Sequence, residues 1–129
     1  MIVGDANIWI DFIKQPHIGT GAVVRDLLRD DRIALVGVVL AEILRGLRGE
    51  DRKTIEELLM HVPYIEMTRS TWARAGRLAM ELDTKGTRIP MTDIFIAAAT
   101  LEGNHELFTR DGGFERVEGL RLYDPKEVT

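Results

Sequence analysis

Four acids in this chain, Asp5, Glu42, Asp93 and Asp111, are spaced so that they could meet at one site. Asp5 closes a short apolar strand, Ile2-Val3-Gly4, and Asp111 follows a strand that ends at Thr109. Glu42 sits in the first turns of the helix after the second strand, and Asp93 opens the helix that leads into the strand before Asp111. In an open parallel sheet, active sites collect at the carboxyl ends of the strands. Three acids therefore fall at one edge, and Asp93 joins them if its helix N-terminus faces the same way.

Bringing carboxylates together costs free energy. Two unit charges ~4 Å apart repel by about 4 kcal/mol at an effective dielectric near 20. Such a cluster needs protons or a divalent cation. Oxygen-only donors favour Mg²⁺ or Mn²⁺ over zinc, and Mg²⁺ usually keeps waters beside one or two carboxylates. An ion held this way orients a water, lowers its pKa and stabilises charge on a phosphoryl oxygen, which makes phosphodiester hydrolysis the natural chemistry.

Each acid also has a purely structural reading. Asp5 precedes a helix and suits an N-cap, and Asp93 suits the positive end of a helix dipole. Asp111 stands before Gly112-Gly113 as an ordinary turn residue would. Glu42 is the hardest to explain this way, because Val38-Val39-Leu40-Ala41 and Ile43-Leu44 flank it. A carboxylate there faces solvent on a narrow polar side or is held by a cation or hydrogen bonds.

Several other chemistries are excluded or disfavoured. There is no cysteine, so thiolate ligands, disulfides and a cysteine nucleophile are out. No phosphate-binding G-x-x-x-x-G-K-[ST] loop is present, and Gly19-Thr20-Gly21 is a lone G-x-G. Ser70 is the sole serine and lies outside any G-x-S-x-G elbow. His17, His61 and His105 lack metal-ligand spacing. A phosphoaspartate enzyme would want a second acid beside Asp5, where this chain has Ala6-Asn7.

The elements that must position the acids alternate between short apolar strands and amphipathic helices. A helix with Ile8, Trp9, Phe12 and Ile13 follows Asp5, and another runs from about Gly21 to Asp30. Ile33 to Val36 reads as a strand, followed by helices over Val38–Leu47 and Asp51–Met60. Val62 to Met67 reads as a strand that Pro63 assigns to a sheet edge. Thr68 or Ser70 caps a long helix that stops before Gly86, and Thr92 caps one through Leu101. Glu106 to Thr109 and Leu120 to Tyr123 are the last strands. This order implies an α/β domain with a largely parallel five-stranded sheet and helices on both faces, one unit over residues 1–129.

The net charge of −4 argues against bulk attraction to nucleic acid. The basic residues nevertheless cluster, as Arg45, Arg48, Arg52 and Lys53 in one stretch and Arg69, Arg74 and Arg77 in another. Arginine forks suit phosphate, although arginines on helices are commonly a solvated face. The first residues have no basic segment and no long apolar run, so no signal peptide is expected, and no stretch is long enough to span a bilayer. A cytoplasmic protein is expected.

Taken in order, Asp5-Ala6-Asn7-Ile8-Trp9-Ile10-Asp11 and Leu40-Ala41-Glu42-Ile43 resemble the PIN-domain ribonucleases, in particular the VapC toxins of prokaryotic toxin–antitoxin pairs. Ile89-Pro90-Met91-Thr92-Asp93-Ile94-Phe95-Ile96-Ala97-Ala98-Ala99, Thr109-Arg110-Asp111-Gly112-Gly113-Phe114 and the tail Val117 to Leu122 continue the pattern. The resemblance covers essentially the whole chain and implies a PIN-like three-layer fold. It also implies a Mg²⁺- or Mn²⁺-dependent endoribonuclease that cuts structured RNA, tRNA or rRNA.

By the same resemblance, Asp5, Glu42, Asp93 and Asp111 match the family's acidic quartet. Asp5 and Asp93 are the principal metal ligands, with Glu42 and Asp111 completing the shell or positioning the attacking water. Asn7 and Thr109 match positions that support the acids by hydrogen bonding. Ala6 departs from the pattern, since many relatives carry Thr or Ser there, and a hydroxyl contact is lost with it. The resemblance further implies a homodimer and a small VapB-like antitoxin whose C-terminal segment blocks the active site. Apolar helix faces with Trp9, Val24, Leu44 and Leu47 could serve such contacts or simply form core. Two other readings stay open at this point, a PIN-type RNA-processing nuclease without an antitoxin and an inactive PIN-fold binding module.

Overall fold

A computed structural model describes residues 1–125; the end of the expected domain, residues 126–129, lies outside the described residues. Five strands form one parallel sheet: β1 (Ile2–Gly4), β2 (Ile33–Val36), β3 (Tyr64–Ile65), β4 (Glu106–Phe108) and β5 (Arg121–Leu122). Their spatial order is β3-β2-β1-β4-β5. Val3 pairs with Ala34 on one side and with Leu107 on the other. The six helices are α1 (Ala6–Lys14), α2 (Gly19–Arg29), α3 (Gly37–Gly46), α4 (Arg52–Leu59), α5 (Arg69–Thr84) and α6 (Met91–Glu102). Helices cover both faces of the sheet in an α/β three-layer architecture, as the alternation of elements implies.

The central strands are apolar throughout because both of their faces are covered. Ile2, Val3, every residue of β2, Leu107 and Phe108 are buried. Helix α6 is the most enclosed helix, with Ile94, Ile96, Ala97, Ala98, Ala99 and Thr100 all buried. Ala75 and Leu82 of α5 pack on its Ile94 and Ala98. Trp9 and Val24 are fully buried members of the main core and cannot serve a partner surface. Leu44 and Leu47 are half-buried and pack against the same core.

Most boundaries shift by one or two residues from those read in the sequence, and three of the differences have a plain physical reason. The strand expected over residues 62–67 shortens to Tyr64–Ile65, and the last strand to Arg121–Leu122. Both lie at sheet edges, where one neighbour supplies the only ladder. Helix α6 begins at Met91 with Pro90 as its N-cap, so Thr92 lies inside the first turn and caps nothing. The fixed φ of proline sets that start, leaving no capping role for the hydroxyl. At α5, by contrast, Thr68 is the N-cap and its N–H donates to Thr71 Oγ1 at 3.0 Å.

The strand order reverses between β1 and β4, and in open parallel sheets ligands bind beyond the carboxyl ends at such a reversal. Asp5 follows β1 directly, and Thr109 follows β4. Helix α6 runs back along the sheet to reach the start of β4, which brings its N-terminus, with Asp93, to the same edge.

Candidate active site

Asp5 is anchored on three sides. Its backbone N–H donates to Phe108 O at 3.0 Å, extending the β1–β4 pairing by one step. As N-cap of α1 it accepts the Ala6 N–H on Oδ1 at 2.7 Å. Thr109 Oγ1 donates to Oδ2 at 2.8 Å. The same hydroxyl oxygen accepts the Asp111 N–H at 3.0 Å, so one threonine joins two of the acids. Asp111 is exposed and caps a short 3-10 turn, Gly112–Arg116, by accepting the Gly113 N–H on Oδ1 at 2.8 Å.

Asp93 stands in the first turn of α6, half-buried, and Glu42 lies on the exposed side of α3. Desolvation raises the Asp93 carboxyl above the ordinary aspartate range, and the charges of Asp5 and Asp111 raise it further. A helix N-terminus favours the ionised form; at Asp93 desolvation and repulsion outweigh that. Glu42 is raised as well, first by desolvation from the atoms around its carboxyl and then by Asp5 and Asp93. Asp5 thus acts on both raised acids, and Asp111 acts on Asp93. Electrostatic contacts link Glu42 to Asp5 and Asp93, and Asp93 to Asp5 and Asp111, and every charge acting on the two raised acids is negative.

Among the described residues, no three histidine or acidic side chains converge tightly enough to hold a metal ion as they stand. A wholly carboxylate donor set with no cation acting on it has the chemistry of a hard, oxygen-loving ion that keeps several of its waters. That ion needs only one or two direct protein ligands. The donor set therefore fits Mg²⁺ or Mn²⁺ through a partly water-filled shell.

The other residues singled out in the sequence fall less centrally. Asn7 is exposed on α1, and no hydrogen bond ties its side chain to an acid among the described residues. Arg48 donates to the carbonyls of Arg45 and Leu47, and Arg52 lies 4.0 Å from Glu56. Arg74 and Arg77 line a cavity of about 320 Å³ together with Glu81 and Glu118, so both signs of charge meet there. An apolar recess of about 380 Å³ is lined by Leu40, Leu59, Met60 and Tyr64. The acids line neither cavity and stand on an open edge.

The PIN domain family model matches residues 2–120 and so spans all four acids. The chain belongs to the PIN domain family. This PIN domain is similar to a chain in the crystal structure of VapBC2 from Rickettsia felis bound to a DNA fragment from its promoter. The two are 25% identical over 95% of this chain and 98% of that one, with a TM-score of 0.79. It is also similar to a chain of VapBC-1 from nontypeable Haemophilus influenzae, 26% identical over 98% of this chain and 99% of that one, TM-score 0.78. DNA-bound VapBC from Salmonella typhimurium shares the fold, with a TM-score of 0.81 at 20% identity over 96% of this chain and 97% of that one. No curated protein matches the chain.

One contact beside the acids has no counterpart in the sequence motifs. Arg110 Nη1 lies 2.7 Å from Asp11 Oδ2, joining the loop that carries Asp111 to helix α1. Both residues occur in the motifs quoted above. Nothing in their spacing pairs them, because the contact spans most of the chain.

Proposed function

We propose that the chain is a divalent-metal-dependent endoribonuclease, the toxin component of a VapBC-type toxin–antitoxin pair, which hydrolyses phosphodiester bonds in structured RNA such as tRNA or rRNA. One observation carries the reading. In a PIN domain, at the strand-order reversal, Asp93 and Glu42 are raised first by desolvation and then by the charges of neighbouring acids, Asp5 acting on both, with no positive charge acting on either. An open acidic edge also suits a polymer better than a small molecule, which is usually enclosed. Similarity to chains in two VapBC complexes supports a VapB-like partner. A homodimer and a cytoplasmic location belong to the same proposal; no helix among the described residues is long and apolar enough to cross a membrane.

Asp5 and Asp93 would hold the ion. When bound, it would supply charge neutralisation, a more acidic water and stabilisation of charge on a phosphoryl oxygen. The chain's own residues supply orientation. The Ala6 N–H and the Thr109 hydroxyl fix the two oxygens of Asp5. Glu42 and Asp111, both exposed, are open to water at the rim of the site and orient it there. Thr109 supports the acids by hydrogen bonding, and Asn7, beside Asp5, is free to contact substrate or solvent.

The test is cleavage of bulk tRNA and rRNA by purified protein with Mg²⁺ or Mn²⁺. Activity should collapse in Asp5→Asn and Asp93→Asn variants that melt cooperatively, and in excess EDTA. Undiminished cleavage by both variants, or full activity in EDTA, rejects the site. Mapping the 5′ ends produced when the protein is induced in cells would then identify the RNA.

A further inference from the structure

The loop after β4 touches helix α1 twice. At Thr109 it meets Asp5, the cap of α1, through the 2.8 Å hydrogen bond to Oδ2. At Arg110 it meets Asp11, in the body of the helix, through the 2.7 Å ion pair. Asp5 and Asp11 are six residues apart, so these anchors are separated by roughly 9 Å along the helix axis. A single hydroxyl contact leaves a loop free to pivot. A second contact that far away removes the rotation.

Asp111 is the next residue on this loop, and it has a reason to move. Its charge acts unfavourably on Asp93. Its described hydrogen bonds, from Asp111 N–H to Thr109 Oγ1, from Gly113 N–H to its own Oδ1 and from Phe114 N–H to its own carbonyl, all lie within the loop. Phe114, buried in the core, anchors the far end of the loop, but nothing in these bonds opposes a swing of its Arg110–Asp111 end away from the acids. The Asp11–Arg110 pair does. Arg110 is 56% and Asp11 30% exposed, so the pair adds little to global stability. Its effect is on position.

We infer that Arg110 and Asp11 are positioning residues for Asp111: their ion pair holds the β4 loop against α1 and keeps Asp111 beside Asp93 against mutual repulsion. This inference rests on the acids forming the nuclease site proposed above. It also separates two roles for Arg110. A positioning arginine needs Asp11 as its partner, whereas one that grips a substrate phosphate is hindered by Asp11.

The experiment compares wild type, Asp11→Asn, Arg110→Ala and the exchanged pair Asp11→Arg/Arg110→Asp, with two readouts. The first is kcat and KM on bulk tRNA and rRNA. The second is the rise in melting temperature on adding Mn²⁺, which does not depend on turnover. Each single variant should lower kcat about 10-fold with KM changed less than about 2-fold, as misplacement of a reacting group does. The Mn²⁺-linked rise should shrink in both, while metal-free melting stays near wild type. The exchanged pair should recover most of both signals. Wild-type values of both signals in Asp11→Asn overturn the inference, as does an exchanged pair no better than the single variants. A raised KM in Arg110→Ala with Asp11→Asn silent assigns Arg110 to substrate instead, and also overturns it. A wild-type protein that neither cleaves RNA nor responds to Mn²⁺ removes the underlying nuclease reading, an outcome the wild-type control keeps distinct.

Discussion

Replacing Thr109 with valine removes one hydroxyl from the middle of the site and keeps the shape of the side chain. In the native protein that hydroxyl donates to Asp5 Oδ2 at 2.8 Å and accepts the Asp111 N–H at 3.0 Å. A hydrogen bond to a charged group contributes about 1.5–3 kcal/mol. Thr109 and Asp5 are both half-buried, so water partly replaces the lost donor and the low end applies. The Asp111 N–H belongs to an exposed residue and can turn to water at little cost. The expected loss is therefore about 1.5–2 kcal/mol. Between the slopes for smaller and larger domains, each kcal/mol moves the melting temperature by about 4 °C, which gives a fall of about 6–8 °C. The Ala6 N–H still holds Asp5 Oδ1, so α1 keeps its cap and the variant should unfold cooperatively. The assay is thermal unfolding in EDTA, with Thr109→Ser beside it. Serine retains the hydroxyl and should lose less than half as much. A valine variant melting within about 2 °C of wild type would refute the assigned bond, given that slope. A serine variant falling as far as the valine one would assign the loss to methyl packing instead.

The raised acids give a pH prediction whose sign is fixed. Asp93 and Glu42 have folded-state pKa values above their unfolded ones, so their contribution to stability is fully present below the unfolded values and is lost as pH rises through the folded ones. In EDTA, Asp93→Asn should melt higher than wild type at neutral pH, and this gain should vanish as pH falls below the usual carboxylate range. An equal effect at every pH would contradict the raised carboxyl, to which desolvation contributes first and repulsion second. Two glycines should respond oppositely to alanine. At Gly21 the new Cβ would press on the Gln15 carbonyl and the Asp11 carbonyl of the α1 end, costing about 1–3 kcal/mol in a denaturant titration. At Gly76, inside α5 with open space around the new Cβ, alanine should stabilise by about 0.5–1 kcal/mol.

Long apolar periodicities made most of the architecture legible. The pattern Ile8, Trp9, Phe12, Ile13 marks α1, and the run Ile33 to Val36 marks a strand buried on both faces. Periodicity says little where one neighbour decides the outcome, and so β3 and β5 shrink to two residues each. Trp9 illustrates a second limit. Its apolar face is plain in the sequence, but only the packed structure shows that it is wholly enclosed rather than offered to a partner. The Asp11–Arg110 pair marks a third, since two half-exposed charges carry no periodic signal and meet only after the sheet brings β4 beside β1. Asn7 is the reverse case, a position prominent in its motif whose side chain is hydrogen-bonded to none of the acids among the described residues.

The acids themselves show why a cap and a site are not competing explanations. Each structural role that sequence reasoning weighs against function turns out to be occupied: Asp5 caps α1, Asp111 caps the 3-10 turn, Asp93 sits at a helix N-terminus and Glu42 faces solvent. These roles stabilise carboxylates individually, by backbone N–H donors, by the helix dipole or by hydration. Without them, four like charges at one edge would be driven apart or protonated. Asp93 and Glu42 have no backbone cap among the described hydrogen bonds, and desolvation and neighbouring charges raise their proton affinity. Asp5, capped and bonded to Thr109, is the fixed point on which both depend. Desolvation first, and then the charges of the neighbouring acids, leave an uncompensated remainder on Asp93 and Glu42. A cation would be bound most tightly by relieving that remainder, which is why the metal-linked rise in melting temperature should depend on Asp93.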